Sequence, residues 1–431
     1  MKLKRVLQGE SCAWVRLSAF ALLGWLIASA AMSLYLDPAS RSLFNPGYWL
    51  ALVKVGESLR LAEAHYYDTN RSGFKNLSQL AISGMAHSLD RHSAYYDASQ
   101  YHHFQQGMNM MYAGIGVKIR KSEQGVLITR VFPGSPAAVG GLSVGDQIIE
   151  AEKTSLAGLS VSEVGEIIRG APQSTVDLKV LAMDQSIRTC QVTRENIEMS
   201  SVEDWWVDEN RTGYMHLSQF THRTQAEVKD ALQSIQAHGA SSLILDLRDN
   251  GGGLLDAAVE VAGYFLPAGQ TVVSLRGRSL EEHREYKTDA VIPPLEIPMI
   301  VLINKGSASG AELLAGALSK LGRTELVGET SFGKGSVQTV FPLSNETGLR
   351  LTTAKYYLPD NSTIDEKGLD PDHAVPCSAE DAVKLSEQKD LLRVLDAKQT
   401  EVLLGFPLVE DRQLTFAMER VRASGYMKQK K

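Results

Sequence analysis

Cysteine is scarce in this chain, with Cys12, Cys190 and Cys377 the only three in 431 residues. So few thiols, so widely spaced, exclude a disulfide framework and a cysteine-based zinc site. A single Cys190–Cys377 bridge in an oxidising compartment and two free thiols remain equally open. No HExxH and no CxxC occurs, and His87, His92, His102 and His103 are not spaced as a ligand set, so no metal is expected. Basic runs are missing apart from a terminal "KQKK", and with a net charge of −6 no nucleic-acid surface is expected. The spacing G-x-S-x-G occurs only at Gly141–Gly145, in a turn that leads into strand material and not into a helix, so no nucleophile elbow is present, which argues against a Ser–His–Asp hydrolase. Repeats and low-complexity tracts are absent as well.

What is present divides the chain into five parts. Lys2, Lys4, Arg5 and Arg16 precede Leu17 to Leu36, a stretch without a charge. As a helix rising ~1.5 Å per residue, it would reach about 30 Å, the thickness of a bilayer core. Basic residues ahead of such a segment put the rest of the chain on the far side of the membrane. "ASA" at Ala28 to Ala30 resembles a signal-peptide cleavage site, whereas the apolar run on to Leu36 favours an uncleaved anchor. Residues 1–38 are therefore assigned to a membrane anchor or signal segment, and export is expected. Residues 39–107 carry helical spacing, with Leu52, Val55, Leu59 and Ala62 on one face and Leu77, Leu80, Ile82 and Met85 on another. Residues 108–196 turn to β-branched runs ("GIGVKI", "GVLITRVF", "TVDLKVLA") around a short helix, a small module of its own. Residues 197–376 alternate strand and helix, which implies a layered α/β core. Residues 377–431 read as amphipathic helices suited to packing or oligomer contacts.

One short stretch, "GETSFGKGSVQ", poses a choice. Gly328, Gly333 and Lys334 stand at the spacing of a phosphate-binding loop. Such a loop needs Ser or Thr after the lysine and a helix N-terminus beyond it. Here Gly335 follows, then "SVQTVFPL", which is strand material, so nucleotide binding is rejected. The remaining use for Lys334 is as a base. "VLINKGSASGAELLAGAL" puts Ser307 and Ser309 in a small-residue turn between an apolar strand and a helix with Leu313, Leu314, Ala317, Leu318 and Leu321 on its buried side. N–H groups at a helix N-terminus are unpaired and suit an oxyanion. A serine that merely caps the helix is the alternative.

"SLILDLRDNGGGLLDAAVEVAGYFL", "VLINKGSASGAELLAGAL", "VGETSFGKGSVQTVFPL" and "LRLTTAKYYLPDNSTIDEKGLDPD" together resemble the C-terminal processing peptidases, or tail-specific proteases, collinearly from Leu77 to Pro371. The resemblance implies an α/β multidomain protein. It would have a ClpP/crotonase-like protease core at 197–376, a PDZ domain inserted at 108–196, and helical N- and C-terminal segments. It also implies a serine endopeptidase with a Ser–Lys dyad. On the family motif the nucleophile falls on Ser309, the base on Lys334 and the third member on Gln338. This chain reads S-A-S-G-A-E, with Gly310 and Ala311 in place of Ala and Ser, which keeps a catalytically decayed PDZ scaffold as an alternative. The oxyanion donors are expected to be the N–H of Gly310 and one from "NGGG", Gly251 or Gly252. Asp246, Arg248 and Asp249 are assigned to an ion pair holding a strand end. A lysine acts as a base only when neutral, and free lysine titrates near ~10.4. Lys334 is thus expected to be buried by Phe332 and Val337, with Glu329 and Glu312 facing away.

In the PDZ module, Ala113, Gly114, Ile115, Gly116 and Val117 ("AGIGV") resemble the loop that takes a terminal carboxylate. Arg169 either senses a bound tail or simply favours its helix C-terminus. No cofactor is implied. The expected partners are proteins with exposed C-terminal tails, an activating adaptor, the membrane through the N-terminal segment, and further copies of the chain. The expected location is periplasmic, anchored to the inner membrane or secreted after cleavage.

Overall fold

The computed structural model describes residues 45–109, 113–197, 200–278, 283–289 and 293–428. The expected anchor lies outside these. Among the described residues no helix is long and apolar enough to cross a membrane. Cys190 and Cys377 are free thiols, each half-buried.

The chain forms two compact units. One comprises the described residues up to Ala98 together with Phe341–Arg350. Its helices α1 (Pro46–His65) and α2 (Phe74–Leu89) match the helical spacing of the sequence, and Asn45 opens α1 by accepting the Gly47 N–H at 2.9 Å. The strand β1 (Ala94–Tyr96) pairs antiparallel with Gly348–Arg350. α1 buries none of its residues, and Trp49, Leu50 and Val53 each keep more than half of their surface exposed.

The second unit holds the small β module and the α/β core. In the module, β2 (Val117–Ser122), β3 (Gly125–Val131), β4 (Gln147–Ala151), β5 (Thr175–Leu181) and β6 (Ile187–Thr193) pair antiparallel in that order, with β2 at the edge. Helix α3 (Val161–Ile168) starts at a Ser160–Glu163 capping box, which satisfies N–H groups that the first turn leaves unpaired. Its apolar side drops Val164 and Ile168 onto Ile115, Val126, Ile148 and Leu178.

In the core, β7 (Val202–Val207), β8 (Thr212–Leu217), β9 (Ser242–Asp246), β10 (Met299–Ile303), β11 (Glu325–Gly328) and β12 (His373–Ala374) form a six-stranded sheet in sequence order. All neighbours after the antiparallel β7–β8 pair are parallel. Every residue of β9 and β10 is buried, as unbroken aliphatic runs covered on both faces require. On one face Leu243, Leu245, Val301 and Ile303 meet α4 (Thr224–Ala237), α5 (Leu255–Ala262) and α6 (Gly310–Lys320). On the other, Ile244, Ile300, Leu302 and Val327 meet Ala417 and Val421 of the last helix, α8 (Arg412–Lys428). The C-terminal segment is therefore a layer of the core. Arg420 of α8 also bonds Glu325 at 2.8 and 2.9 Å and holds that carboxyl down at about 2. Helix α7 (Ala379–Leu391) meets the β module, where Lys118 lies 3.5 Å from Asp390 and Arg120 lies 3.3 Å from Glu387. Arg130 binds Glu203, on β7, at 2.8 Å.

The strand-end ion pair is present and larger than the sequence implied. Buried Asp246 receives Arg248 at 2.7 Å, and the same guanidinium reaches Asp411 at 2.8 Å, tying the segment before α8 to the sheet. Asp249 takes a different partner, accepting from the Asn304 amide at 2.9 Å. Burial alone would raise the Asp246 carboxyl, but Arg248 and Lys389 outweigh it and hold it well below the usual carboxylate range. A depressed folded-state value stabilises the protein above the unfolded carboxylate range and loses that stabilisation as pH falls. Arg248→Ala, which strands a buried charge, is expected to cost about 3–5 kcal/mol, read as a lowered midpoint in urea at neutral pH.

Candidate active site

Three neighbouring parallel strands, β9, β10 and β11, end on the same side of the sheet, and the loop after each one carries a segment singled out in the sequence. In open α/β sheets the carboxyl ends of strands are where ligands bind. The first loop is Asp249–Gly253, the second Asn304–Ser309, and the third Glu329–Gly335.

Backbone bonds lace the three together. Ala308 N–H donates to the Asn250 carbonyl at 2.9 Å, and Phe332 N–H donates to the Ser307 carbonyl at 2.9 Å. The Ser307 hydroxyl donates to the Leu247 carbonyl at 2.8 Å and accepts the Asn304 N–H at 3.0 Å. Of the two serines in the turn, Ser307 is thus occupied in holding the loop. Ser309 stands just ahead of α6 with φ 54° and ψ −119°, a backbone conformation that non-glycine residues rarely hold. Such a conformation costs of order 1–3 kcal/mol and persists only where surroundings impose it. The turn has an elbow's strain without an elbow's motif.

Gly252 shows how closely the first loop approaches. With φ 96°, a Cβ built there would lie 2.7 Å from the Ala308 carbonyl oxygen and 2.7 Å from the Ser309 Cβ. Its own N–H donates to the buried Asn250 Oδ1 at 2.8 Å, so Gly252 supplies close approach and is already spent as a donor. The expectation that either glycine could be the donor narrows to Gly251, which is exposed and whose N–H has no partner among the described residues. Gly310 opens α6, where N–H groups have no intrahelical acceptor.

Lys334 is half-buried, and among the described residues no carboxylate stands within ion-pair distance of its amine. Glu329 turns away to Lys305 at 3.0 Å. Phe332, expected to cover the lysine, is 51% exposed, because its N–H is anchored to Ser307 while the ring points outward. Glu312 forms no ion pair with the lysine amine and meets the lysine's main chain instead. It has no exposed surface, and its carboxylate accepts the Ser309 N–H and the Lys334 N–H on one oxygen, each at 2.9 Å. The two residues' backbone nitrogens are therefore no farther apart than those two bonds laid end to end. Ser309 Oγ and Lys334 Nζ form no hydrogen bond with each other in this structure. Gln338 donates to the Ser336 hydroxyl at 3.0 Å, and Lys334 is not among its partners.

Sequence reasoning missed Glu312 and Asn250. The spacing S-x-x-E from Ser309 is the signal for the first. For Asn250, whose amide also donates to the Leu217 carbonyl at 2.8 Å, no local pattern announces the role.

The PDZ residues fall on one rim of the small module. Ala113–Gly114 pair with Glu195–Asn196, and the Ile115 and Gly116 carbonyls are taken by Ala137 N–H and Phe132 N–H at 2.8 and 3.0 Å. The N–H groups of Ile115 and Gly116 carry no bond among the described residues, and Val117 opens the edge strand β2. Arg169 caps α3 through its N–H to the Gly165 carbonyl at 2.9 Å and is exposed.

Comparison with known proteins agrees with this layout. The family model "Peptidase family S41" matches residues 211–375, and the PDZ-domain model matches residues 106–181. The carboxy-terminal-processing protease of Bartonella bacilliformis is 36% identical over 309 residues, 70% of this chain and 70% of that protein. The chain belongs to peptidase family S41. It is a serine-type peptidase of the C-terminal processing class, with a PDZ domain. A "Probable CtpA-like serine protease" of Staphylococcus aureus is 32% identical over 322 residues, covering 74% of this chain and 64% of that protein. Among solved structures, the photosystem II D1 C-terminal processing protease is 27% identical, covers 82% of this chain and 92% of its own, and has a TM-score of 0.48.

Gly252→Ala is expected to cut turnover about 100-fold by displacing the Ser309 turn. Steady-state cleavage assays alongside thermal unfolding check it, with the loss in rate exceeding any loss in folded fraction.

Proposed function

We propose that this chain is an exported endopeptidase that takes hold of protein C-terminal tails through its PDZ domain and cuts peptide bonds with Ser309 as nucleophile and Lys334 as general base. The observation that carries the reading is the shared Glu312 oxygen that draws the Ser309 and Lys334 backbones together, on a turn where Ser309 is held at positive φ.

The chemistry then runs in two halves. Neutral Lys334 Nζ accepts the Ser309 hydroxyl proton as Oγ attacks the scissile carbonyl carbon, and the N–H groups of Gly310 and Gly251 receive the oxyanion. The tetrahedral species collapses, the C–N bond breaks, and the leaving amine departs with the proton held by Lys334. Water, giving a proton to Lys334, then attacks the acyl carbon, and as the bond to Ser309 Oγ breaks, Lys334 returns that proton to Oγ and the second product leaves as the acid. Gln338, once released from Ser336, orients the lysine amine.

The tail's terminal carboxylate fits the unpaired N–H groups of Ile115 and Gly116, and its extended backbone adds to the free edge of β2. Arg169 reads the bound tail. The apolar segment at 17–36 puts the enzyme on the periplasmic side, anchored or released. The exposed apolar side chains of α1 suit a second copy of the chain, and an adaptor that aligns Gln338 with Lys334 is a consistent activator.

Ser309→Ala and Lys334→Ala are each expected to lower cleavage of an unfolded, apolar-tailed protein by about 1,000-fold or more. Retained turnover in either variant refutes the dyad. Tail capture with no turnover of any polypeptide by the parent chain establishes a binding scaffold instead. Amidating the substrate's terminal carboxylate is expected to raise KM about tenfold, as loss of a charge-assisted bond does, and to leave kcat in place.

A further inference from the structure

The geometry points to Glu312 as a positioning residue that holds nucleophile and base in register, an inference that rests on the Ser309–Lys334 reading above. A carboxylate offers about four lone-pair sites, and buried acceptors left unfilled are costly. Glu312 fills its sites from four donors on two separate segments. One oxygen takes Ser309 N–H and Lys334 N–H, each at 2.9 Å. The other takes the Ser331 hydroxyl at 2.5 Å and Gly333 N–H at 2.7 Å.

Capping explains only one of these bonds. The Ser309 N–H lies three residues before Glu312, as in a capping box. The other three donors come from a loop 19 to 22 residues later, which a helix cap has no use for. That loop is pinned from behind as well, since the Ser331 hydroxyl accepts Leu369 N–H at 2.7 Å. The carboxylate touches neither reacting atom by any of these bonds. It holds main chain on both sides and leaves Ser309 Oγ and Lys334 Nζ as the parts still able to turn. Effective catalysis requires reacting groups positioned to a fraction of an ångström. One rigid acceptor shared by both backbones supplies that.

Glu312→Gln keeps the volume and replaces one oxygen with an NH2 group. That group then faces either the Ser309–Lys334 pair of N–H donors or the Ser331–Gly333 pair. In the full-length chain, Glu312→Gln is expected to lower kcat about 100-fold with KM held within about twofold. The rate of Ser309 labelling by a fluorophosphonate, which needs no tail recognition, falls in parallel. Ser331→Ala, which removes one of the donors, lowers both rates about tenfold, and the two substitutions combine less than additively. Thermal unfolding establishes that each variant is folded. Glu312→Gln with kcat and labelling within about threefold of the parent overturns the inference, as does a rise in KM with kcat unchanged. If Glu312→Gln does not fold, Ser331→Ala with both rates unchanged overturns it. Ser309→Ala and Lys334→Ala run beside them separate the two failures. Dead controls with an active Glu312→Gln sink the positioning role alone, and an active control sinks the dyad and this inference together.

Discussion

A buried carboxylate must take its hydrogen bonds from the protein, and in this chain that requirement joins two loops that the sequence keeps apart. Glu312 is buried at the start of α6 and collects donors from its own turn and from the loop after β11. The loop after β9 joins through backbone, by way of Asn250 and the close approach of Gly252. The sheet gives all three loops a common edge because β9, β10 and β11 run parallel. Polar satisfaction then fixes their spacing. Neither condition alone brings residue 309 beside residue 334.

Strain and permissiveness divide the work at this edge. Ser309 holds an unfavourable backbone conformation, and Gly252 holds one that only glycine accepts without cost. The first shapes the turn ahead of α6, and the second lets the neighbouring loop close on that turn without a Cβ in the way. Gly252 is held through its N–H by Asn250 and Ser309 through its N–H by Glu312, while Ser307 ties their shared turn to the Leu247 carbonyl.

The elements themselves were legible because aliphatic runs, small-residue turns and helical spacing are local signals. Strands such as Met299–Ile303 and helices such as Gly310–Lys320 lie where "PMIVLIN" and "GAELLAGALSKLG" imply. The strand after Lys334 follows from β-branched residues, and it disposes of the phosphate-loop reading. Which serine faces the cleft was not legible from spacing. Ser307 and Ser309 are told apart by backbone strain at 309 and by partners of 307 in the segments after β9 and β11, none of which a sequence displays, and family resemblance was needed to prefer 309. Phe332 reads as a covering residue by hydrophobicity, yet its main-chain anchor to Ser307 turns the ring outward. Glu312 reads as a charge to be kept from a lysine, because a sequence does not reveal that the acceptor meets main-chain N–H groups and not an amine. The amphipathic C-terminus suggested packing without saying onto what, and the answer, the second face of the sheet, depends on topology.

That last layer bears on how the strands behind the site are kept dry. Residues 412–428 are helical, with Ala417 and Val421 sealed against Ile244, Ile300 and Leu302, and Arg420 clasping Glu325. This stretch can leave the sheet only by stripping the core of one of its walls. Ile244, Ile300 and Leu302 belong to the strands whose ends carry the candidate site, so loosening this helix would wet the back of the sheet and reach the three loops through their own supports.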